Sequence, residues 1–571
     1  ICQVDDGGEI RACESSDISD PGVQEVSPAY SIWLYDLDED TARPIVLAER
    51  GQVITEAITL QAGLRPNIIF DKTIELNATW ETDNVGAINI KSVYDMGDNS
   101  FNGCFFNVCV SDLVDAGETV NINSVQDFAD PANASAKHRP ARFVRFLKAV
   151  TMPEDDDPVN PDLDNAAFGL QRNLGMREIV GYAPVEPDGS VMVKVPANVP
   201  LALEVLDGGG RRIGPRHNNW FQVLPGDTLT CNGCHTHNTG GATPQPHGRA
   251  DARAPSINGG VQVTPLPNTE IPGTGIAYFT FSSGQTLAEI RFSRVGSELP
   301  PAPEPQLSAD LVYRDYWTAP GVARPDLNNP VGPDMFFAYN YDDLDAVSLN
   351  GILPPELNRP VRNSDCNATT PAVVPWKSTC RVAISYPRHI HAIWSVPRGD
   401  DDFIILPTNP ADGDPSTPLV VMNDDGDLNN GDGIPDGTCT SCHNAIIDNT
   451  AAIPYGQLDL TTDPNQDPYD RYRAYNELLT NDNAMVLANM GANVVEDANI
   501  NVPRSMTQAG ARSSYFIEKM TGEELDAGRN IFSTFDHAGL LTPAELKLIS
   551  EWLDLGAQNF NDLFDPAAPQ N

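Results

Sequence analysis

The pattern of apolar and polar positions predicts β-strands through the first half of the chain. Apolar residues alternate with polar ones across 190–196 and 201–207, and glycines at 208–210 supply a turn after the second run. Residues 141–150 form another extended run, and residues 31–48 contain two runs around an acidic turn. The sequence therefore predicts a small β-sandwich in the middle of the chain and a hairpin near residue 40.

A different pattern, with apolar residues three and four positions apart, predicts a helix near the end of the sequence. Thr542 suits the N-cap, Pro543 the first helical position and Glu545 the third, as in a capping box. The apolar positions of this helix are Leu546, Leu548, Ile549, Trp552, Leu553 and Leu555. The fold class that we predict is multidomain and mainly β, with sandwich-like N-terminal and middle regions and an α-helical C-terminal domain.

The length of the chain predicts several domains. A chain of 571 residues is too long for one hydrophobic core, and 44 Gly and 48 Pro favour β-rich domains with long loops. We predict four parts, with a proline-rich linker at 300–305. These parts are a hairpin region at 1–60, a β-rich domain at 61–305, a connecting region at 306–381 and a helical domain at 382–571.

The formal net charge of −43 at pH 7 restricts the partners of this protein. An acidic surface of this size repels nucleic acid and anionic lipid, so we exclude nucleic-acid binding. It attracts cationic redox partners, although adaptation to salt water is an alternative explanation of the charge. The sequence has no run of eighteen apolar residues, so no transmembrane segment is predicted.

Two C-x-x-C-H motifs carry the chemistry that the sequence predicts. They consist of Cys231, Cys234 and His235, and of Cys439, Cys442 and His443. Two thiols at this spacing add to the two vinyl groups of a porphyrin, and the histidine that follows ligates the iron. Zinc binding and a redox dithiol are the alternatives, but the motifs are about two hundred residues apart and each has its own histidine. We therefore predict two covalently bound c-type haems.

The sequence around His537 resembles the end of class I cytochromes c. In that family the loop with the distal iron ligand precedes a helix of the form L-T-x-x-E…W…G-A, and His537 stands where methionine is usual. The resemblance implies that His443 and His537 ligate the second iron from opposite faces; a histidine in a surface loop is the alternative. We expect Asp536 to accept the ring N–H, and Leu540 and Leu541 to cover the haem edge.

The distal ligand of the first haem has several candidates. We favour His389, with His391 and His217 as alternatives, because the paired histidines have apolar neighbours. His237 lies on the same side of the ring as the attachment loop, so we expect it to make a supporting hydrogen bond or to bind another group. The histidines that we assign to the surface are His138 and His247.

Six further cysteines indicate an oxidising compartment. Local pairing is the simplest of their fifteen arrangements, and it gives the disulfides Cys2–Cys13, Cys104–Cys109 and Cys366–Cys380. Covalent haem attachment in bacteria also takes place outside the cytoplasm. We therefore predict a periplasmic or extracellular protein whose export signal was removed or precedes residue 1.

An acidic stretch before the second motif predicts a calcium site. Carboxylates and amides at alternate positions, with glycines that turn the backbone, suit a hard cation. The candidate ligands are Asp425, Asp427, Asn429, Asp432 and Asp436. The alternative is an acidic insert that binds no ion.

Three stretches of the chain resemble the haem domains of the hydrazine synthase alpha-subunit family. They are 181–197, 220–237 and 548–557, and the similarity extends over about 140–260 and 380–570. The propeller of that family, which precedes the haem domains, would account for the hairpin at 31–48. Its catalytic haem is ligated by a tyrosine shortly after the attachment motif, whereas Thr239 occupies that position here. The resemblance therefore implies haem binding, and we assign no catalytic residues.

The function that we predict from the sequence is electron transfer by a secreted dihaem c-type cytochrome. A haem enzyme with an open iron face at the first haem, related to hydrazine synthase or a peroxidase, is the first alternative. The second is a subunit of an extracellular cytochrome filament, in which a neighbouring chain donates a distal histidine.

Overall fold

The structure is a computed structural model that divides into two compact units, Ile1–Lys72 and Thr73–Asn571. The residues that it describes are 2–4, 10–11, 13–16, 20, 23–25, 30–49, 52, 54, 76–95, 102–115, 117–129, 138–150, 169–170, 176–217, 219–234, 270–271, 276–277, 285–293, 306–314, 336–339, 363, 365–366, 376–396, 405–406, 419–420, 438–447, 450–451, 453–461, 471–488, 493–526, 537–538 and 540–559.

The N-terminal unit contains a three-stranded sheet and a hairpin. Its strands are β1 (Cys2–Val4), β2 (Ile10–Arg11), β3 (Val23–Glu25), β4 (Ile32–Asp36) and β5 (Thr41–Val46). The sheet has the antiparallel order β2-β1-β3, and β4 pairs with β5. This hairpin confirms the one predicted at 31–48. The large apolar side chains of Trp33, Tyr35 and Ile45 are exposed on it.

The second unit contains many short strands in small sheets. They are β6 (Val85–Ile90), β7 (Cys104–Phe105), β8 (Val108–Cys109), β9 (Phe143–Ala149), β10 (Arg177–Pro184), β11 (Val191–Pro196), β12 (Leu201–Leu206), β13 (Thr228–Cys231), β14 (Glu270–Ile271), β15 (Ile276–Ala277), β16 (Leu311–Arg314), β17 (Phe336–Tyr339), β18 (Ile405–Leu406), β19 (Leu419–Val420), β20 (Ile446–Ile447), β21 (Thr450–Ala451), β22 (Asp482–Ala488) and β23 (Asn493–Val502). The strands from β14 to β23 form five two-stranded sheets, in the pairs β14-β15, β16-β17, β18-β19, β20-β21 and β22-β23.

Two three-stranded sheets position the first attachment motif. One has the antiparallel order β10-β9-β12, and the other has the order β11-β6-β13, in which β13 runs parallel to β6. Buried residues of both sheets, among them Ile88, Val144 and Val193, belong to one hydrophobic cluster. The strands predicted at 141–150, 190–196 and 201–207 are therefore present, and their two sheets share a core.

Glycine is required where β10 bulges between Ile179 and Gly181. Gly181 has a φ of 148°, and a Cβ added there would lie 2.7 Å from the Cβ of Leu307. The approach is this close because the neighbouring Tyr182 exchanges backbone hydrogen bonds with Ser308. Any other residue at position 181 would push the 307–308 segment away from the sheet.

The helices of the second unit are mostly short. They are α1 (Ala78–Thr82), α2 (Val110–Leu113), α3 (Leu287–Ser293), α4 (His391–Trp394), α5 (Cys439–Cys442), α6 (Arg473–Leu479), α7 (Tyr515–Thr521) and α8 (Pro543–Leu555), with 3₁₀ turns at Val125–Ala129 and Tyr455–Gln457 and a π-helical turn at Tyr386–Ile390. No helix among these described segments combines the length and the apolar character needed to cross a membrane.

The last helix, α8, begins as the sequence predicts. The Thr542 side chain accepts a hydrogen bond from the N–H of Glu545, and the Glu545 side chain accepts one from the N–H of Thr542. The helix ends at Gly556, whose φ of 113° suits a residue without a side chain. Its apolar side chains, including Trp552, are buried, apart from Leu546, which is half-buried. The helix predicted after Thr542 is therefore confirmed.

A layer of buried charges joins α8 to the sheet β10-β9-β12. Arg145 on β9 bonds Glu204 on β12 at 2.6 Å and Asp554 on α8 at 2.8 Å. The Tyr182 hydroxyl on β10 donates to Glu551 on α8. Because charges removed from water must be paired to be tolerated, these contacts fix how α8 lies on the sheet.

Candidate functional site

The second attachment motif lies at a helical turn. Cys439 and Cys442 bound α5, and the backbone N–H of His443 donates to the carbonyl of Cys439 at 3.0 Å. The Cys439 thiol is half-buried and forms no disulfide. Cys439 and His443 thus lie one helical turn apart, as covalent attachment of a porphyrin requires.

The ring of His443 faces the ring of His537 across a gap. Their centroids are 6.3 Å apart and their planes are inclined by 39°. A metal bound to one nitrogen of each ring at about 2 Å, with about 1 Å more from each nitrogen to its ring centre, separates the centroids by about 6 Å. The spacing therefore fits an iron between the two imidazoles, and the structure brings together the two histidines paired by the sequence.

The surroundings of His443 keep its ring neutral. Burial and, to a lesser extent, the nearby His537 lower the pKa of His443 to about 4, although the carbonyls of Tyr455 and Leu458 act in the opposite direction. The backbone carbonyl of His443 accepts from the N–H of Leu460 at 2.8 Å, which holds this residue to the 453–461 segment. A neutral imidazole is the form that coordinates a metal.

The distal side of this gap is partly described. The backbone N–H of Leu540 donates to the carbonyl of His537 at 3.2 Å, and Leu541 is buried. That Leu540 and Leu541 cover the haem edge stays a prediction. Asp536, the predicted partner of the His537 ring, lies outside the described residues, as do the candidate calcium ligands Asp425, Asp427, Asn429, Asp432 and Asp436. Their roles stay predictions.

The first attachment motif extends from the end of β13. Cys231 is the last residue of that strand and pairs with Ile90, and the N–H of Cys234 donates to the carbonyl of Asp95 at 2.8 Å. Gly233 lies so close that an added Cβ would be 2.2 Å from the same carbonyl oxygen. The loop thus has little freedom at Cys234. His235, His237 and Thr239 lie outside the described residues.

The two thiols of this loop are unsuited to redox exchange as free cysteines. Burial raises the pKa of Cys231 to about 11. It raises the pKa of Cys234 to about 12, with smaller contributions from Cys231 and Asp95. A reactive dithiol needs a thiolate near neutral pH, so the redox-dithiol alternative is disfavoured. The described residues, which do not include His235, contain no group of three His, Cys, Asp or Glu arranged to hold a metal ion.

The three histidines proposed for the first iron differ in the state of their rings. Nδ1 of His389 accepts a hydrogen bond from the N–H of Ser385 at 3.0 Å, so the neutral ring carries its proton on Nε2. His391 is buried between Tyr386 and Tyr472, and neither of its ring nitrogens has a hydrogen-bond partner. His217 lies beside Phe221, with centroids 6.1 Å apart. Of the pair His389 and His391, only His391 has both nitrogens unengaged.

The assignment of His138 to the surface is wrong. This side chain is buried, and its Nε2 lies 3.2 Å from Glu118. Because Glu118 is twenty residues away from His138 in the sequence, no local pattern indicates this contact. His247, the other histidine assigned to the surface, lies outside the described residues.

Disulfides occur where local pairing predicts them. Cys104 is bonded to Cys109 across the hairpin of β7 and β8, and Cys366 is bonded to Cys380. Cys13 is also in a disulfide, while the side chain of its predicted partner Cys2 is not described. Disulfides of this kind are consistent with a periplasmic or extracellular location.

The sequence pattern does not predict the buried ion pairs between the sheet and α8. The partners Arg145 and Asp554 are 409 residues apart. The signal that points to Arg145 is its position between the apolar residues Val144 and Phe146, where an unpaired charge would be costly. That signal indicates a partner without identifying it.

Comparison with known proteins supports the family resemblance. Residues 144–236 match the family described as hydrazine synthase alpha subunit middle domain, which is less than half of the chain. Among solved structures, the hydrazine synthase of Kuenenia stuttgartiensis is similar with a TM-score of 0.39 and 14% identity. The alignment covers 94% of this chain but only 53% of that one, so the chain spans about half the length of this neighbour. No curated protein matches.

Proposed function

We propose that this protein is a dihaem c-type cytochrome that transfers electrons outside the cytoplasm. The observation that carries the proposal is the pair of facing rings of His443 and His537, 6.3 Å apart and adjacent to the Cys439 thiol. Haem supplies reversible one-electron chemistry at its iron. The residues of the chain would attach the haem covalently, ligate its iron and shield it from water.

At the second site, each residue has a distinct task in the proposal. Cys439 and Cys442 bind the porphyrin, His443 is the proximal ligand and His537 the distal ligand. If His443 and His537 both hold the iron, a substrate would have no access to it, and the site would transfer electrons without chemistry of its own. Two imidazoles also set a lower potential than a histidine with a methionine.

The helices around this site support a class I cytochrome c-like arrangement. The π-helical turn that precedes the motif packs on α8, with the Tyr386 and Trp552 rings 5.2 Å apart. Tyr475 on α6 lies against the same two rings, and its hydroxyl donates to the carbonyl of Ala557 at 2.7 Å. A helix before the attachment motif that packs against the last helix is the arrangement expected of that family.

At the first site, Cys231 and Cys234 would bind the porphyrin and His235 would be the proximal ligand. The anchoring of Cys234 to Asp95 fixes one attachment point against the sheet β11-β6-β13. A neutral His389 carries its proton on Nε2, which prevents that nitrogen from binding iron. Both ring nitrogens of His391 lack a hydrogen-bond partner, so His391 is the better candidate for the distal ligand. The acidic surface favours a cationic redox partner.

The proposal is tested by counting haems in the purified protein. A pyridine haemochrome assay is expected to give two c-type haems per chain, and the reduced protein is expected to show low-spin bands. Cys439→Ala/Cys442→Ala is expected to remove one haem, and Cys104→Ser/Cys109→Ser, which removes an unrelated cysteine pair, none. A count of two in the Cys439→Ala/Cys442→Ala variant would contradict the attachment site.

A haem enzyme is the second candidate, and the match of residues 144–236 to the hydrazine synthase alpha family favours it. In this case the first iron keeps an open face that binds a small molecule. Carbon monoxide and cyanide added to the native protein distinguish the candidates. Rapid binding at one haem favours the enzyme, while two unreactive haems favour electron transfer.

A further inference from the structure

Four arginine side chains converge where the sheet β10-β9-β12 meets the end of α8. They are Arg145, Arg177, Arg212 and Arg216, of which the first three are buried and the last is half-buried. The charges of Glu204 and Asp554 act on Arg145 and Arg216, and the charge of Glu204 also acts on Arg177. The group therefore contains more positive than negative side chains.

Both carboxylates are already engaged by Arg145 and Arg212. Arg145 lies 2.6 Å from Glu204 and 2.8 Å from Asp554. Nε of Arg212 lies 3.5 Å from Glu204 and 3.9 Å from Asp554, and Asp554 also accepts the backbone N–H of Arg212 at 2.9 Å. Oε1 of Glu204 has no hydrogen-bond partner, and it lies 3.5 Å from Nε of Arg212.

Arg216 lacks a carboxylate of its own within ion-pair distance in the described residues. Its Nη2 donates to the carbonyls of Gln508 at 3.0 Å and Leu553 at 3.3 Å. Its Nε and Nη1 are buried without a hydrogen-bond partner. Burial lowers the pKa of Arg216 to about 10; Glu204 opposes this effect, and the charges of Arg212 and Arg177 add to it. Two donor atoms of this side chain, Nε and Nη1, thus lack an acceptor.

The side-chain amide of Gln508, whose backbone carbonyl bonds Arg216, also has a donor without an acceptor. Nε2 of Gln508 is buried and has no hydrogen-bond partner, and the side chain as a whole is 6% exposed. The Arg177 guanidinium lies over the Trp220 ring at 5.2 Å, and this ring is partly exposed. Arg216 itself is half-buried, so the group lies at the edge of the buried layer, beside a ring that solvent reaches.

We propose that Arg216 and Gln508, supported by the charges of Arg177 and Arg212, bind a small oxyanion of the phosphate or sulfate class. An oxyanion accepts the unmatched N–H groups and neutralises the repulsion among the guanidiniums, which water would leave in place. Guanidinium groups suit such ions because their donors lie in a plane. The bound ion would hold the 211–217 segment against the end of α8 and so stabilise the folded chain.

The proposal is tested on the full haem-loaded chain by thermal unfolding in sodium phosphate and in sodium chloride of equal ionic strength. Phosphate is expected to raise the Tm in a saturable manner, and chloride is not. Arg216→Gln is expected to weaken the phosphate response at least tenfold. Arg43→Gln, which removes an exposed arginine of the other unit, is the matched control and is expected to respond like the wild type.

Gln508→Glu tests the same site by supplying the missing charge. Its carboxylate is expected to raise the Tm without phosphate and to abolish the phosphate response. The proposal is overturned if phosphate acts no more strongly than chloride on the wild type. It is also overturned if Arg216→Gln and Arg43→Gln respond equally, since that result indicates adventitious binding only.

Discussion

Arg145 and Asp554 form a fully buried ion pair of 2.8 Å that connects a central strand to the last helix. Replacing Arg145 by Met leaves Glu204 and Asp554 buried without their principal cation. We expect the free energy of unfolding to fall by about 3–5 kcal/mol. Denaturant unfolding followed by far-UV circular dichroism measures the change, and Arg43→Gln is the control with an exposed ion pair.

The double variant Arg145→Met/Asp554→Leu separates the pair from general damage to the core. Since the second substitution removes one stranded carboxylate, the loss is expected to be smaller than the sum of the two single losses. Strictly additive losses would show that the two side chains do not interact in solution.

His537→Ala is expected to open one iron without loss of covalent haem. The His443 ring would then remain as the only axial ligand, so one of the two haems should become high-spin and bind carbon monoxide. Electron paramagnetic resonance and carbon monoxide difference spectra measure this change. His138→Gln, which removes another buried histidine, should leave both haems low-spin. If the His537→Ala variant stays six-coordinate and unreactive, another residue ligates the second iron.

Asp188 is expected to make stability depend on pH. This buried carboxylate accepts the N–H of Leu287 at the start of α3, and burial raises its pKa to about 6. Because the folded pKa exceeds the unfolded value of 3.8, the folded state binds more protons between these values. The contribution of Asp188 to stability therefore falls as pH rises from about 4 to 6, by at most about 3 kcal/mol.

Asp188→Asn is the variant that measures this effect. It removes the titration and keeps an oxygen that can accept from Leu287. The stability of the wild type relative to the variant should be greatest near pH 4 and should decline towards pH 7. Parallel stability curves for the two proteins would show that Asp188 has an ordinary pKa in the folded chain.

The two described disulfides differ in the length of the loop that they close. Cys366 and Cys380 are 14 residues apart, and Cys104 and Cys109 are 5 apart. In the chain-entropy account, Cys366→Ser/Cys380→Ser should lower the free energy of unfolding by about 3 kcal/mol, and Cys104→Ser/Cys109→Ser by less. Urea unfolding of both variants under oxidising conditions tests the order. The reverse order would indicate that native-state contacts outweigh loop length.

The sequence predicts those parts of the fold that depend on neighbouring residues. The hairpin β4–β5 and the start of α8 follow from alternation and from the capping pair Thr542 and Glu545, which act over a few positions. The order β11-β6-β13 does not follow, because β6 pairs with strands that begin more than one hundred residues further along the chain. The hairpin β22–β23 was also missed, since its residues do not alternate strictly between apolar and polar.

The candidate site shows the same division. Spacing alone identifies the cysteines, and a motif before a helix identifies His537 as the partner of His443. The ring state of His389 could not be predicted, because the proton position follows from a hydrogen bond to Ser385 that only the folded turn creates. The donors of Arg216 and Gln508 likewise lack partners only after packing has buried them.

The contact between β9 and α8 also determines when the fold can be completed. Arg145 pairs with Asp554, which is 409 residues further along the chain. Closing so long a loop is slow compared with forming the hairpins. Until residues 543–555 dock, the face of the sheet that carries Arg145 and Tyr182 lacks its cover. A chain interrupted between these segments is therefore expected to be an early target of proteolysis, even with both attachment motifs intact.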